Sequence, residues 1–232
     1  MAAFAWWDRR TSVRPDRYVA ISQYVARRIA LYYNRQSTLV YPPVDTEFFL
    51  PHTAAAAPPP ASERTFLIVS ALVPYKRVDL AMMAARHAGV RLTVVGDGPE
   101  RRLESSAPAG VAFLGAVLDT AELLATADAF VLPSEAEGLS NALLEAMASE
   151  LACVVTDSEG MLDVVRPDDT AVVVPIGDIK ALGAALARVA TDEPLRQRLG
   201  RAARADVETR FSIDSTVRQF AALYDRLSGE QR

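Results

Sequence analysis

Short apolar runs alternate with amphipathic stretches from about residue 64 toward the C-terminal part of the chain. The runs are four or five residues long and rich in β-branched and aromatic residues, which is typical of strands buried on both faces of a parallel sheet. They lie at 66–70, 91–95, 111–114, 129–132, 152–156 and 171–174. This alternation predicts an α/β fold, a Rossmann-like doubly wound parallel sheet of about six strands with helices on both faces.

The stretches between the runs repeat their apolar residues every three or four positions, as amphipathic helices do. Predicted helices lie at 78–87, 100–105, 120–126, 141–149 and 161–165. Three further helical patterns follow the last strand and form a helical C-terminal tail, at 179–190, 195–209 and 213–227.

The first part of the chain has a different pattern. A strand at 18–21, a helix capped by Ser22 and a second strand at 37–41 are predicted there. The following stretch, 51–62, is rich in alanine and proline, which predicts a surface loop. The chain is therefore divided into an N-terminal segment with its loop at 1–62, a Rossmann-like domain at 63–210 and a C-terminal helix at 211–232.

Composition narrows the class of protein. The 232 residues are 50% hydrophobic with a net charge of −4, which suits one globular domain and gives no reason to expect a nucleic-acid partner. No stretch resembles a signal peptide or a membrane-spanning helix, and the single cysteine, Cys153, lies in an apolar run that predicts a buried thiol. We therefore expect a cytoplasmic location, with peripheral contact at the inner membrane face as an open alternative.

Three arginines, Arg27, Arg28 and Arg35, lie on the first predicted helix and just after it. They fit a solvated helix face, and they also fit a patch that binds anions or membrane headgroups.

The loop and the helix that follow the run at 129–132 contain a cluster of candidate ligand-binding residues. Gly138 indicates a turn, and Ser140 or Asn141 can cap the helix that begins there. In an open parallel sheet such a connection ends at the binding crevice. The backbone N–H groups of Gly138, Leu139, Ser140 and Asn141 are therefore expected to point into that crevice and to suit a phosphate.

Two carboxylates flank this helix start. Glu137 lies in the loop and Glu145 lies just over one turn into the helix, so both can face one ligand. Near a phosphate, a carboxylate is better suited to accept hydrogen bonds from the hydroxyls of a hexose or a ribose. The alternative is a solvated loop acid and a helix-surface acid.

The stretch from Glu137 to Glu145 resembles the E-x7-E motif of retaining nucleotide-sugar glycosyltransferases with two Rossmann-like domains, the GT-B type. The resemblance extends from about Tyr18 to about Tyr224 and matches the C-terminal donor-binding domain. It implies that Glu137 holds sugar hydroxyls, that Glu145 holds the ribose, and that the donor is a UDP- or GDP-linked sugar. It implies no cofactor and no metal, and it places the acceptor glycan or lipid-linked glycan on an N-terminal domain that this chain lacks.

A cationic segment joins the run at 66–70 to the next helix. Lys76 and Arg77 lie where a cation can neutralise a diphosphate, although two exposed cations at a helix start are the alternative. The segment resembles the diphosphate-binding segment of the same family, with Lys76 at the matching lysine. Ala71 occupies the place where that family commonly has an arginine.

Two further loops resemble donor-binding segments of the family. Gly96, Asp97 and Gly98 form a turn after the second strand, where glycine lets a donor approach the backbone closely. Leu114 and Val117 lie at the end of the third strand, at the family's nucleobase site, although core packing explains them equally well.

Other positions depart from the family pattern. Glu150 replaces a common glycine after a helix, and 158–161 replaces a glycine-rich turn, so the family pattern does not predict how this helix ends or how the crevice rim is shaped. Asp168 and Asp169 form an acidic pair that is better explained by a turn than by a metal site.

Two classes of function fit these residues. The first is the donor-binding domain of a glycosyltransferase, and the second is a non-catalytic nucleotide-sugar-binding module that acts with a partner chain. Apolar residues near both ends of the chain predict self-association or a partner. They are Phe4, Trp6, Trp7, Val217, Phe220, Leu223, Tyr224 and Leu227.

Overall fold

The computed structural model describes residues 2–51 and 59–230. The predicted surface loop at 51–62 falls mostly outside these ranges. Its described end forms a short 3-10 helix at Ala61–Glu63.

The six strands of the main sheet match the apolar runs to within about one residue, and β2 ends two residues earlier than predicted. They are β1 Tyr18–Ala20, β2 Ser37–Leu39, β3 Thr65–Val69, β4 Arg91–Val95, β5 Val111–Gly115, β6 Ala129–Leu132, β7 Ala152–Thr156 and β8 Ala171–Val174. The α-helices are α1 Ala2–Thr11, α2 Gln23–Tyr33, α3 Val78–Ala88, α4 Ala121–Thr126, α5 Asn141–Ala148, α6 Glu159–Leu162, α7 Ile179–Thr191, α8 Glu193–Arg210 and α9 Ile213–Glu230. Two more 3-10 helices lie at Pro74–Lys76 and Pro99–Ser106.

Six strands of the described chain form one parallel sheet in the order β5-β4-β3-β6-β7-β8. The chain builds outward from β3 to β5 and then returns to the other side of β3 with β6. The strand order therefore reverses between β3 and β6, and ligands of such sheets bind beyond the carboxyl ends of the strands at this switch point. The predicted Rossmann-like sheet is confirmed.

The core lies on both faces of the sheet. Phe66 and Ile68 of β3 pack toward α3 and α7, whereas Leu67 between them packs toward α5 and α8. Side chains alternate along a strand, so a strand covered by helices on both faces needs apolar residues at every position. Cys153 is buried on β7, and burial raises the pKa of its thiol, which confirms the predicted core position.

The helix predicted at 100–105 is a 3-10 helix instead. Ser105 Oγ donates to the carbonyl oxygen of Arg102 at 2.8 Å, and Ser106 Oγ donates to that of Leu103 at 3.1 Å. Serine hydroxyls compete in this way with the backbone bonds of an α-helix, so the three-residue spacing prevails.

The N-terminal segment packs against the sheet domain. β1 and β2 form a separate parallel pair, and α2 follows β1 with Ser22 as its cap, as predicted. Tyr41 packs edge-on against Phe211, and the amide of Val44 donates to the carbonyl oxygen of Phe211 at 2.8 Å. The pattern did not predict α1, which carries both tryptophans.

Helix α5 ends in spite of the missing glycine. Glu150 adopts a left-handed conformation with φ of 61°, and the amide of Leu151 donates to the carbonyl oxygen of Ala146 at 3.1 Å. This is the helix-ending geometry in which glycine is usual, because a Cβ atom strains the left-handed conformation.

Replacing Glu150 with glycine is therefore expected to stabilise the protein. Relief of the strained backbone outweighs the extra chain entropy of glycine, which leaves a gain of about 0.5–1 kcal/mol. The melting temperature should rise by about 2–4 °C per kcal/mol. E150A is the matched control because alanine keeps the Cβ atom. An equal rise in both variants would show that loss of the carboxylate, and not the backbone, is responsible.

Candidate active site

Two loops meet at the switch point of the sheet. The loop after β3 ends in the 3-10 helix Pro74–Lys76, and the loop after β6 runs from Pro133 to Ser140, where α5 begins. The amide of Glu135 donates to the carbonyl oxygen of Tyr75 at 2.8 Å, which ties the two loops together. Any side chain on one loop is therefore held close to the other.

Lys76 and Glu137 form an ion pair across these loops. Lys76 Nζ lies 2.5 Å from Glu137 Oε1, and the side chains are only 13% and 7% exposed. An ion pair so well shielded from water interacts more strongly than a surface pair, and each member leaves the other unbalanced if it is removed. The structure thus brings together Lys76, which is expected to neutralise the diphosphate, and Glu137, which is expected to hold the sugar hydroxyls.

The start of α5 presents free backbone donors. Ser140 caps the helix by accepting a hydrogen bond from the amide of Leu143 at 3.3 Å. The amides of Gly138, Leu139, Ser140 and Asn141 donate to no acceptor within the described part of the chain. Unpaired amides at a helix N-terminus carry partial positive charge and suit an anion, so this segment can receive a phosphate.

The N-terminal segment holds this loop in place. Ser22 Oγ donates to the carbonyl oxygen of Gly138 at 2.6 Å and also accepts from the amide of Val25 at 3.1 Å. Asp163 accepts from the amide of Tyr24 at 2.6 Å, which fixes the same end of α2 to the segment after α6. Sequence reasoning found the capping role of Ser22 and missed its bond to the active-site loop.

Gly160 of α6 lies directly against the loop after β6. A Cβ atom at this position would lie 2.0 Å from the carbonyl oxygen of Glu137, which is far inside van der Waals contact. Only glycine therefore lets α6 approach the loop this closely. The sequence signal that could have identified Gly160 is a glycine at the start of a helix, where no turn requires one.

Glu145 faces a different neighbour from Glu137. Its half-buried carboxylate has a raised pKa, because burial disfavours the charged form, and a hydrogen bond with Thr120 partly opposes that shift. Thr120 lies at the start of α4 and was not singled out in the sequence. The two glutamates are therefore separately held, one by Lys76 and the other by Thr120.

Arg77 is engaged by carboxylates. Its guanidinium donates to Asp79 at 3.0 Å and to Glu135 at 2.5 Å. The bond to Asp79 is the main cause that raises the pKa of Arg77 above its ordinary value, and the bond to Glu135 raises that pKa as well. Arg77 lines a pocket of about 500 Å³ together with Asp79, Glu100 and Glu135. Its predicted donor-binding role requires these carboxylates to release it.

The glycine turn after β4 packs against the loop after β3. A Cβ atom at Gly96 would lie 1.8 Å from the carbonyl oxygen of Ser70, and one at Gly98 would lie 2.5 Å from that of Leu72. The carbonyl oxygen of Asp97 accepts from the amide of Leu72 at 2.9 Å. Close backbone packing is therefore the observed reason for both glycines, and donor binding by this turn stays a prediction.

Leu114 and Val117 lie at the end of β5 and are exposed, at 48% and 40% of their surface. Leu118 beside them is fully exposed. Core packing does not account for these side chains. They form an apolar rim at the carboxyl end of the sheet, and the nucleobase role stays a prediction.

The described residues contain no group of three or more His, Cys, Asp or Glu side chains arranged to hold a metal ion. The absence of a metal and of a cofactor stays a prediction. No helix within 2–51 and 59–230 is long and apolar enough to cross a bilayer.

The sheet order and the site at its switch point place the chain among doubly wound α/β proteins that bind ligands beyond the carboxyl ends of their strands. The chain belongs to the family of glycosyl transferases group 1, whose model matches residues 53–206. The resemblance to a glycosyltransferase family is thereby confirmed, while the retaining mechanism and the role of the E-x7-E motif stay predictions.

Relatives of known activity agree with this assignment. The chain is 31% identical over 177 residues to N-acetyl-α-D-glucosaminyl L-malate synthase of Bacillus anthracis, covering 70% of this chain and 45% of that protein. It is 37% identical over 143 residues to the GDP-mannose-dependent α-mannosyltransferase of Mycobacterium tuberculosis, covering 60% of this chain and 37% of that protein. The chain thus spans less than half the length of these relatives.

Solved structures share the fold. Sucrose-phosphate synthase from Thermosynechococcus elongatus superposes with a TM-score of 0.87 at 23% identity, covering 99% of this chain and 63% of that one. HepE from Anabaena in complex with UDP-glucose superposes with a TM-score of 0.78 at 18% identity, covering 90% of this chain and 63% of that one.

Proposed function

We propose that this chain is the donor-binding domain of a retaining glycosyltransferase that moves a hexose from a UDP- or GDP-linked donor to an acceptor hydroxyl. The pathway we propose is glycan or polysaccharide synthesis, in the cytoplasm. The observation that carries the proposal is the shielded pair of Lys76 and Glu137 beside the unpaired amides at the start of α5. A cation, a carboxylate and a helix N-terminus together fit a sugar joined to a diphosphate.

Each residue then has a distinct task. Lys76 and the amides from Gly138 to Asn141 bind the diphosphate, while Glu137 accepts hydrogen bonds from sugar hydroxyls and Glu145 from the ribose. During transfer, the bond between C1 of the sugar and the diphosphate oxygen breaks, and its electrons go to that oxygen. The acceptor hydroxyl bonds to C1 on the same face, and its proton passes to the leaving diphosphate oxygen. Preorganised donors lower the barrier because they meet the charge that develops on the leaving diphosphate.

The chain is therefore expected to bind UDP or GDP without a divalent ion. Lys76 and the helix start supply the positive charge that a metal would otherwise provide. Isothermal calorimetry with each nucleotide, in the presence and absence of EDTA, measures this. Equal affinity in both conditions is the expected result, and loss of all binding in EDTA would sink the metal-free proposal.

The acceptor side involves surfaces that this chain leaves uncovered. Phe4 and Trp7 of α1 are 79% and 59% exposed, and Val217 and Tyr224 of α9 are 59% and 62% exposed. Leu223 of α9 is buried, so only part of the apolar stripe packs within the chain. The uncovered residues favour self-association or contact with an acceptor-domain partner. The same surfaces fit the alternative of a binding module that acts through a partner chain, and transfer assays with and without that partner distinguish the two.

A further inference from the structure

A groove of about 850 Å³ lies between α1 and α2. Its walls include Trp6 and Arg9 from α1 and Arg28 and Tyr32 from α2. We call it the α1–α2 groove. It has aromatic rings and cations on its two sides, so it can take a ligand that is partly apolar and partly anionic.

The α1–α2 groove continues into the candidate active site. A second cleft, of about 290 Å³, lies between the start of α2 and the loop after β6, and Glu137 and Gly138 line it. Val25 and Arg28 line both spaces, so the groove and the cleft meet at these residues. A molecule in the groove can therefore reach the carboxylate that we assign to the sugar.

Arg28 is fixed at this junction without a counter-charge. Its Nη1 donates to Tyr24 Oη at 2.9 Å, and its guanidinium carbon lies 5.5 Å from the ring centroids of Tyr24 and Tyr32. It pairs with no carboxylate among the described residues, whereas its neighbour Arg27 pairs with Glu159 at 2.8 Å. A preorganised guanidinium without a carboxylate is a ready partner for a phosphate or carboxylate group.

The other charges of the groove do not cancel Arg28. Asp8 also lines the groove and contributes one negative charge, and its carboxylate accepts a hydrogen bond from Tyr33 Oη at 2.8 Å. Arg9 adds a second cation on the opposite wall. The charge of the groove therefore favours an anionic ligand.

We propose that the α1–α2 groove binds an anionic glycoside. Its sugar ring stacks on Trp6 and Tyr32, and its phosphate or carboxylate group pairs with Arg28. Binding in the groove does not depend on the role proposed for Glu137, so the two proposals can fail separately.

Tryptophan fluorescence tests the groove directly, because both tryptophans of the chain lie on α1. Trp6 lines the groove and Trp7 does not, so the full chain carrying W7F reports on Trp6 alone. Glucose 6-phosphate is the probe and glucose is its uncharged counterpart. We expect a saturable fluorescence change with glucose 6-phosphate and a response to glucose at least tenfold weaker.

Arg28→Gln is expected to weaken glucose 6-phosphate binding by about tenfold or more, with Arg28→Lys falling between it and the parent. Arg27→Gln is the matched control, an adjacent arginine outside the groove that should leave binding unchanged. Equal weakening by R27Q and R28Q would overturn the proposal. So would a fluorescence change with phosphatidylglycerol vesicles but none with glucose 6-phosphate, which would make the surface a membrane contact.

Calorimetry with UDP and GDP on the same W7F chain separates the two proposals. No nucleotide binding would contradict the proposed function and leave the groove to be judged by its fluorescence. Nucleotide binding without any response to glucose 6-phosphate would contradict the groove alone.

Discussion

Lys76→Met is expected to reduce the affinity for UDP or GDP at least 100-fold. The substitution removes a charge-assisted bond to the diphosphate, worth roughly 1.5–3 kcal/mol, and it leaves the Glu137 carboxylate unpaired where the phosphate must bind. Breaking a shielded ion pair from one side also costs about 3 kcal/mol of stability. Calorimetry measures the first effect, and thermal unfolding measures the second.

The ion pair of Lys76 and Glu137 also leads to an expectation for the double variant K76M/E137Q. K76M/E137Q removes the repelling carboxylate as well, so it should be more stable than K76M and bind the free nucleotide more tightly than K76M does. Lys180, the other lysine of the sequence, is exposed on α7, and K180M should behave as the parent does. If K76M and K180M bind UDP and GDP alike, Lys76 is a surface cation and the proposed diphosphate site is wrong.

The sheet was predictable from the sequence because of how its strands are covered. β6 and β7 are buried at every position, and a strand covered by helices on both faces reads as an uninterrupted apolar run. The proximity of Lys76 and Glu137 was also predictable, because parallel strands bring all their carboxyl ends to one edge of the sheet. The hydrophobic pattern of the sequence and the topology of a parallel sheet are together sufficient to predict such features.

The contacts that hold the site in place were not predictable, because they join residues that are far apart in the sequence. Ser22 binds Gly138 across 116 positions, and the contact of Gly160 with Glu137 depends on how α6 packs. The hydrogen bond between Thr120 and Glu145 likewise joins two different helices. Helix α1 was missed for another reason: its adjacent tryptophans do not form a helical apolar stripe, and they remain exposed.

Gly160 gives the second large expected effect. In Gly160→Ala the new Cβ atom would lie 2.0 Å from the carbonyl oxygen of Glu137 and 3.0 Å from the carbonyl carbon of Gly138. Both neighbours are backbone, so the loop itself must shift by about 1 Å, and overpacking of this kind costs roughly 1–3 kcal/mol. The melting temperature should fall by several degrees.

The shift of this loop is also expected to change ligand binding and catalysis. Glu137 and the amides from Gly138 onward lie on the displaced loop, so their proposed hydrogen bonds to the donor are weakened. A misplacement of about 1 Å can also lower the rate of an oriented reaction roughly 100-fold. Affinity for a UDP- or GDP-linked sugar, measured by calorimetry, should therefore fall together with stability. Gly183→Ala is the matched control, because a Cβ atom on that helical glycine would meet nothing closer than 3.6 Å. Alanine there should keep affinity and add up to about 1 kcal/mol of stability. If G160A instead matches the parent in both affinity and melting temperature, the close approach of α6 does not position the loop, and the support that we assign to Gly160 is wrong.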